Sequence, residues 1–412
     1  MLSTLRLVLS LLVGTALLLA AVGLLNTLIP LRGMQAGYPG LLLGGLTAAF
    51  YGGYLLGTFV MPPLIRRVGH IRAFAFCASC TACLALLHAL GTWAWAWLVL
   101  RFWTGVFVVG LYAIIESWLN AQAPAHHHGA VFSIYMMVNV SALAFGQQLL
   151  RIQGQPFVLF IVVALFTCLA TLPVLATHQA QPRPQSVPRL QLGRLMQLAP
   201  TAGVGAGLSG LAMGAFWGLA PVYASRLGFD TEQIGTYMTV AILGGAALQW
   251  PLGRWSDRMD RRLTLAMMGA TATLAALLMW VAGSHEVAAL SLVFVYGGIA
   301  FAVYPVVVAH LVDNLAPEEL LGASSSVLLI FGAGSALGPL VAGLEISHLG
   351  ARSLPFWFAL THGALMVYAA WHYRAVRRDA VVENNFRPML RTTPNALKLM
   401  PETRPESPPP AA

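Results

Sequence analysis

Residues 253–262 read GRWSDRMDRR, six charged side chains in ten positions, in a chain of 412 residues that is only 9% charged. The stretch is set between two apolar runs, at 233–252 and 263–283. Residues 62–72, PPLIRRVGHIR, occupy the same kind of gap between runs at 40–62 and 72–91. Laying Arg66 over Asp257 gives an offset of 191, that is 257 minus 66. The same offset brings TLIPL at 27–31 onto GLAPV at 218–222. An offset of 192 brings LYAIIESWL at 111–119 onto VYPVVVAHL at 303–311, and AFG at 144–146 onto ALG at 336–338. Each match is weak alone. A shared offset at four places is the signature of an internal duplication.

Apolar runs recur outward from this pair of loops. They lie at 7–30, 40–62, 72–91, 95–119, 129–150, 156–176, 198–224, 233–252, 263–283, 286–311, 319–343 and 353–373. Apolar residues make up 58% of the chain and the mean hydropathy is +0.74. A helix crossing a bilayer needs about 20 mostly apolar residues, so these runs predict twelve transmembrane helices in an all-α membrane protein. The duplication sorts them into two parallel six-helix bundles related by a pseudo-two-fold axis. The expected organisation is a first bundle over 1–176, a Pro-rich basic linker over 177–197, a second bundle over 198–373, and a disordered tail over 374–412.

The net charge of +9 does not point to nucleic acid, because the basic residues fall in short loops and the tail. Eighteen of them, counting both termini, lie on one side of the predicted membrane. Four, Arg32, Arg151, Arg226 and Arg352, lie on the other, and Arg101 is inside a span. The positive-inside rule then places both termini in the cytoplasm. The first run is long enough to span and lacks a convincing cleavage site, so it reads as the first helix and not as a signal peptide. Cys77, Cys80 and Cys83 share one apolar segment without a fourth ligand nearby, and read as small packing residues. The His126–His128 triple reads as a solvated loop, and no metal or other cofactor is expected.

The stretch 253–262 resembles the G-x-L-a-D-R-x-G-R-R loop of the major facilitator superfamily, with Asp260 at the second Gly. The first-half copy keeps Arg67 and Gly69, but has Pro62 at the first Gly and Arg66 at the Asp. Arg101-Phe-Trp-Thr-Gly105 resembles the superfamily's helix-4 signature, and Gly334-x-x-x-Gly338-Pro339 its Gly-Pro motif. Helix 5 reads Gly146-Gln147, without the Pro that some drug antiporters have. ESWLN at 116–120 and LNTLIPL at 25–31 are similar to poorly characterised bacterial inner-membrane members. The resemblance covers residues 7–373. It implies a monomeric secondary transporter of a small solute in a bacterial inner membrane, working by alternating access. It also implies a cytoplasmic latch built from Asp257, Arg258 and Arg261, altered in the first half, where Arg66 and Arg67 stand. No motif names a substrate. A multidrug or metabolite exporter of the same fold stays open.

Two charges lie within predicted spans. A charge at helix centre costs about 2.5–3.5 kcal/mol on insertion scales, so such residues face protein or water and mark function. Arg101 reads as an anion-binding or coupling group, or as a structural arginine bonded to helix carbonyls. Glu116 follows it by 15 residues, about 22 Å along a helix and about 60° around it. It reads as a proton carrier, or as a partner of Arg66, Arg67 or Arg72 in the latch. Asn26, Tyr112, Asn139, Trp217 and Tyr304 are the candidate cavity residues. The resemblance implies that helices 1, 4, 7 and 10 line that cavity. An enzyme is not expected. Gly207-Leu208-Ser209-Gly210 resembles an intramembrane serine protease motif with His310 or His362 as base, but glycine-mediated helix packing accounts for it.

Overall fold

The computed structural model describes residues 2–122, 128–155, 157–176, 190, 192–282, 285–315 and 317–375. The first half contains α1 (Leu2–Gln35), α2 (Gly40–Val68), α3 (His70–Ala89), α4 (Ala94–Gln122), α5 (His128–Gln148) and α6 (Val158–Leu175). A short helix, α7 (Leu192–Leu198), precedes the second half. That half contains α8 (Pro200–Arg226), α9 (Thr231–Asp257), α10 (Arg261–Ala282), α11 (Glu286–Val312), α12 (Pro317–Leu349) and α13 (Leu354–Ala375). Ten of these helices are long and apolar enough to cross a membrane. The other two long ones, α9 and α13, are diluted by Glu232, Arg254 and Asp257, and by His362, Trp371 and His372. Prolines sit inside α1, α2, α6, α8, α9, α11 and α12. Spanning helices tolerate them because neighbouring elements satisfy the freed backbone groups.

The duplication is visible in the packing. In the first half, α1 packs on α5 and α6, α2 on α4, and α3 on α4 and α6. In the second, α8 packs on α12 and α13, α9 on α11, and α10 on α11 and α13. The correspondence reaches single residues. A Cβ on Gly146 would collide with the carbonyl oxygen of Ala20, and one on Gly338 with that of Leu211. A Cβ on Gly105 would meet the Phe50 carbonyl, and one on Gly297 that of Ala241. Each second pair is the first shifted by 191 or 192 residues. These are the close helix approaches that small residues permit in a bilayer, where packing replaces the hydrophobic drive.

The halves meet through α2 with α12, α5 with α9, and α8 with α1 and α2. Several of these contacts cluster at the end of the bundle away from the termini. The Leu41 amide donates to Ser347 Oγ at 2.9 Å. Gln148 Nε2 donates to Thr239 Oγ1 at 2.6 Å, and Arg151 pairs with Glu232. Gly44 lies so close to Pro339 that any side chain would overlap its carbonyl. At this end Asp230 also starts α9 with a capping box. Its carboxylate accepts from the Gln233 amide at 2.8 Å, and the Gln233 side chain accepts from the Asp230 amide at 3.0 Å.

Two expectations change. The stretch 177–197 is not linker throughout, because Leu192–Leu198 is helical. Leu195 is fully buried against α8 and α12, and Arg194 pairs with Glu319 at 2.9 Å. The last turns of α12 run on past 343 to Leu349, so Glu345 is also an acid inside a long helix. That helix continues because nothing in GLEIS breaks it, although Glu345 ends the apolar run. Most of 177–191, the His126–His128 side chains and the tail beyond 375 lie outside the described residues.

Candidate functional site

The site grows from the approach of α2 to α4. Gly105 removes the side chain that would hold these helices apart. Phe50 thereby reaches Arg101, whose guanidinium lies 4.5 Å from the ring centroid. From α1, Asn26 Oδ1 accepts a bond from Arg101 Nη2 at 3.1 Å. Arg101 is 2% exposed. Among the described residues, its Nε and Nη1 have no hydrogen-bond partner. No carboxylate among the described residues pairs with it either.

Eleven residues further along α4 a second cluster begins. The Tyr112 ring lies 6.4 Å from Tyr54 of α2. One turn on, Glu116 is fully buried and accepts a bond from the Tyr135 hydroxyl of α5 at 3.1 Å. Asn139, also fully buried, donates to the Tyr135 carbonyl at 2.5 Å, and its Oδ1 has no partner among the described residues. Tyr54 is within electrostatic reach of Tyr51, Tyr112, Glu116 and Tyr304. Tyr304 is the second half's contribution here, and it packs edge-on to Phe331 at 4.9 Å. Trp217 lies elsewhere on that half, edge-on to Phe301 at 5.7 Å.

In the second half, two of the residues named for the latch, Asp257 and Arg261, are ion-paired. Arg261 is 5% exposed and bridges Asp257 at 3.1 Å, Asp313 at 2.5 Å and Ser256 Oγ at 2.9 Å. Arg258 is exposed. Asp260 accepts from the Arg262 amide at 2.8 Å and from its guanidinium at 2.6 Å. Burial alone would push the Asp260 carboxyl up. The bonds and charge of Arg262 outweigh that, with His310 adding to them, and hold it below its usual value. Asp260 thus caps α10 with its side chain. Its counterpart Gly69 makes the corresponding turn with a positive φ of 85° instead.

In the first half Arg66, Arg67 and Arg72 are exposed, and the expected pairing of Glu116 with them is not formed. They sit on the surface while Glu116 is sealed inside against Tyr135. The place of Arg261 is taken by His70, buried, with Nε2 3.1 Å from Ser117 Oγ and its ring against Trp118. Ser209 Oγ is buried without a partner among the described residues. The Nδ1 of His362 bonds the Phe358 carbonyl, and His310 contacts Asn314.

Residues 11–198 and 202–404 match the Major Facilitator Superfamily. The chain belongs to this superfamily. It is a multi-pass membrane transporter. It is 29% identical over 350 residues to the uncharacterized MFS-type transporter YcaD of Salmonella newport (strain SL254), covering 82% of this chain and 88% of that one. Among solved structures it resembles the nucleoside transporter NupG, with a TM-score of 0.74 at 14% identity over 90% of this chain and 98% of that one. It also resembles a bacterial homolog of the human lysosomal transporter Spinster in an inward-facing, occupied conformation. There the TM-score is 0.72 at 15% identity, over 90% and 96% of the two chains. At such identities the likeness shows the fold alone.

Four residues of the candidate site do not stand out in the sequence reading: Phe50, Tyr54, Tyr135 and His70. His70 carried a usable signal, since it stands at the offset position of Arg261. Phe50, Tyr54 and Tyr135 carried none, because an aromatic in an apolar run reads as core.

Proposed function

We propose that this protein is a secondary active transporter of a small solute, with both termini cytoplasmic and the solute site beside α4. Alternating access is carried by the contacts between the halves. They are concentrated at the end away from the termini, where Leu41 bonds Ser347, Gln148 bonds Thr239 and Arg151 pairs with Glu232. With the termini inside, this is the arrangement in which the outer side is shut. Rocking the two bundles breaks that small set of bonds and opens the other mouth.

Glu116 is the proposed proton carrier. A fully buried carboxylate in a spanning helix is costly unless neutral or bonded. Its Tyr135 bond can be kept whether the acid is charged or protonated, since a protonated carboxyl still offers an acceptor oxygen. Proton binding therefore changes charge at the site without dismantling it. The observation that carries the proposal is the placement of Arg101 and Glu116 on one buried α4, with Tyr304 of the other half close to the acid's tyrosine shell.

The test uses a solute identified by a thermal-shift screen of the purified protein. Leu41→Cys with Ser347→Cys, on a background without the native cysteines, is reconstituted into proteoliposomes. Oxidation is expected to stop transport and reduction to restore it. Full transport in the oxidised, cross-linked protein would show that this end need not open.

A further inference from the structure

We propose that the solute is a monocarboxylate with an apolar or aromatic body, and that its carboxylate is held by the open side of the Arg101 guanidinium. This deepens the transport reading and rests on it. Five N–H donors cannot be shed by deprotonation in an arginine. One goes to Asn26 at 3.1 Å, and Phe50 covers one face of the plane. Nε and Nη1 remain without acceptors at 2% exposure. A purely structural arginine would spend them on helix carbonyls; none accepts from them among the described residues.

The duplication supplies an internal control. The position matching Arg101 at an offset of 192 is Val293, fully buried in the α9–α11 packing. The same packing therefore stands without a cation, so the fold does not need one at this place. What Arg101 lacks is an anion, and a carboxylate offers oxygens that the planar fork can grip in pairs. One guanidinium with a neutral amide neighbour balances a single negative charge, which favours a carboxylate over a doubly charged phosphate. The walls nearest the charge are aromatic. Phe50 and Tyr51 flank it on α2.

The test compares matched acids and amides on the purified full chain. Benzoate and propionate are set against benzamide and propionamide, with chloride as a bare anion, and the melting temperature is read. The expected result is a rise with at least one acid and none with its amide. Arg101→Lys, which keeps the charge but loses the fork, should weaken the acid about tenfold or more, and Arg101→Gln should abolish the shift. Equal shifts with acid and amide, no shift with either acid, chloride alone matching the acids, or a shift that survives in Arg101→Gln would each overturn the proposal. Proteoliposomes separate this from the transport reading. An acid that binds through Arg101 but is not carried removes the transport reading and leaves the anion site. A solute carried equally well by wild type and Arg101→Gln does the reverse.

Discussion

The two halves share one packing scheme and divide its chemistry. Where the first half buries Arg101 and Glu116, the second has Val293 and Val308, both buried and both apolar. Where the second half has the Arg261–Asp257–Asp313 ion pairs at the mouth near the termini, the first has the neutral His70–Ser117 contact. Tyr112 and Tyr304 are the same residue at matching positions, and Tyr54 is within electrostatic reach of both. A duplicated scaffold has thus placed the costly charges of the core in one copy and those of the rim in the other. The lesson is that backbone approach is fixed by glycines common to both halves. The side chains on that frame are free to diverge.

The largest expected effects come from making the first half resemble the second. Glu116→Val or Arg101→Val should cut transport in proteoliposomes by about a hundredfold or more, since each removes a charged group of the pathway. Val308→Ala and Val293→Ala in the second half should cost only about 1–2 kcal/mol of stability and leave transport measurable. Similar losses from both pairs would erase the proposed division.

Next comes the closed end. Gly44→Val should prevent α2 from meeting Pro339 of α12 and so block closure. The expected readout is lost transport together with weak disulfide formation between Leu41→Cys and Ser347→Cys.

The two rims should differ in stability. Arg261→Ala leaves Asp257 and Asp313 without their shared cation and should cost about 3 kcal/mol, as broken buried pairs do. Ser117→Ala removes one neutral bond from His70 and should cost about 1 kcal/mol. Melting temperatures in detergent compare them; equal losses would mean that the ion pairs add nothing over the His–Ser contact.

The smallest effect concerns Asp260. Its folded pKa lies below its unfolded one. The stability it contributes is therefore fully present above the unfolded value and is lost as pH falls through the folded value. Asp260→Asn should flatten the acid limb of the stability curve by well under 1 kcal/mol, because the group is partly exposed.

Much of this fold was legible in the sequence. Twelve apolar runs and a constant offset require no tertiary knowledge, and Gly146 with Gly338 marks matching close approaches. The site was legible only in its charges. Arg101 and Glu116 announce themselves because an ionised side chain in an apolar run is conspicuous. Their partners do not: Asn26 was one of several candidate polar residues, while Phe50 and Tyr135 look like ordinary core. Glu116 also shows why depth along a helix misleads. It lies near the end bearing the loop arginines, yet the helix turns it toward α5 and Tyr135. The rim arginines Arg66 and Arg67 face outward.

Glu116 is the residue on which proton coupling turns. Glu116→Gln keeps the shape and an acceptor for Tyr135 but cannot exchange a proton. Reconstituted with the solute on both sides, it should still exchange labelled for unlabelled solute. It should fail to accumulate that solute when only a pH gradient is imposed. Accumulation at the wild-type level with an unchanged pH dependence would contradict the account.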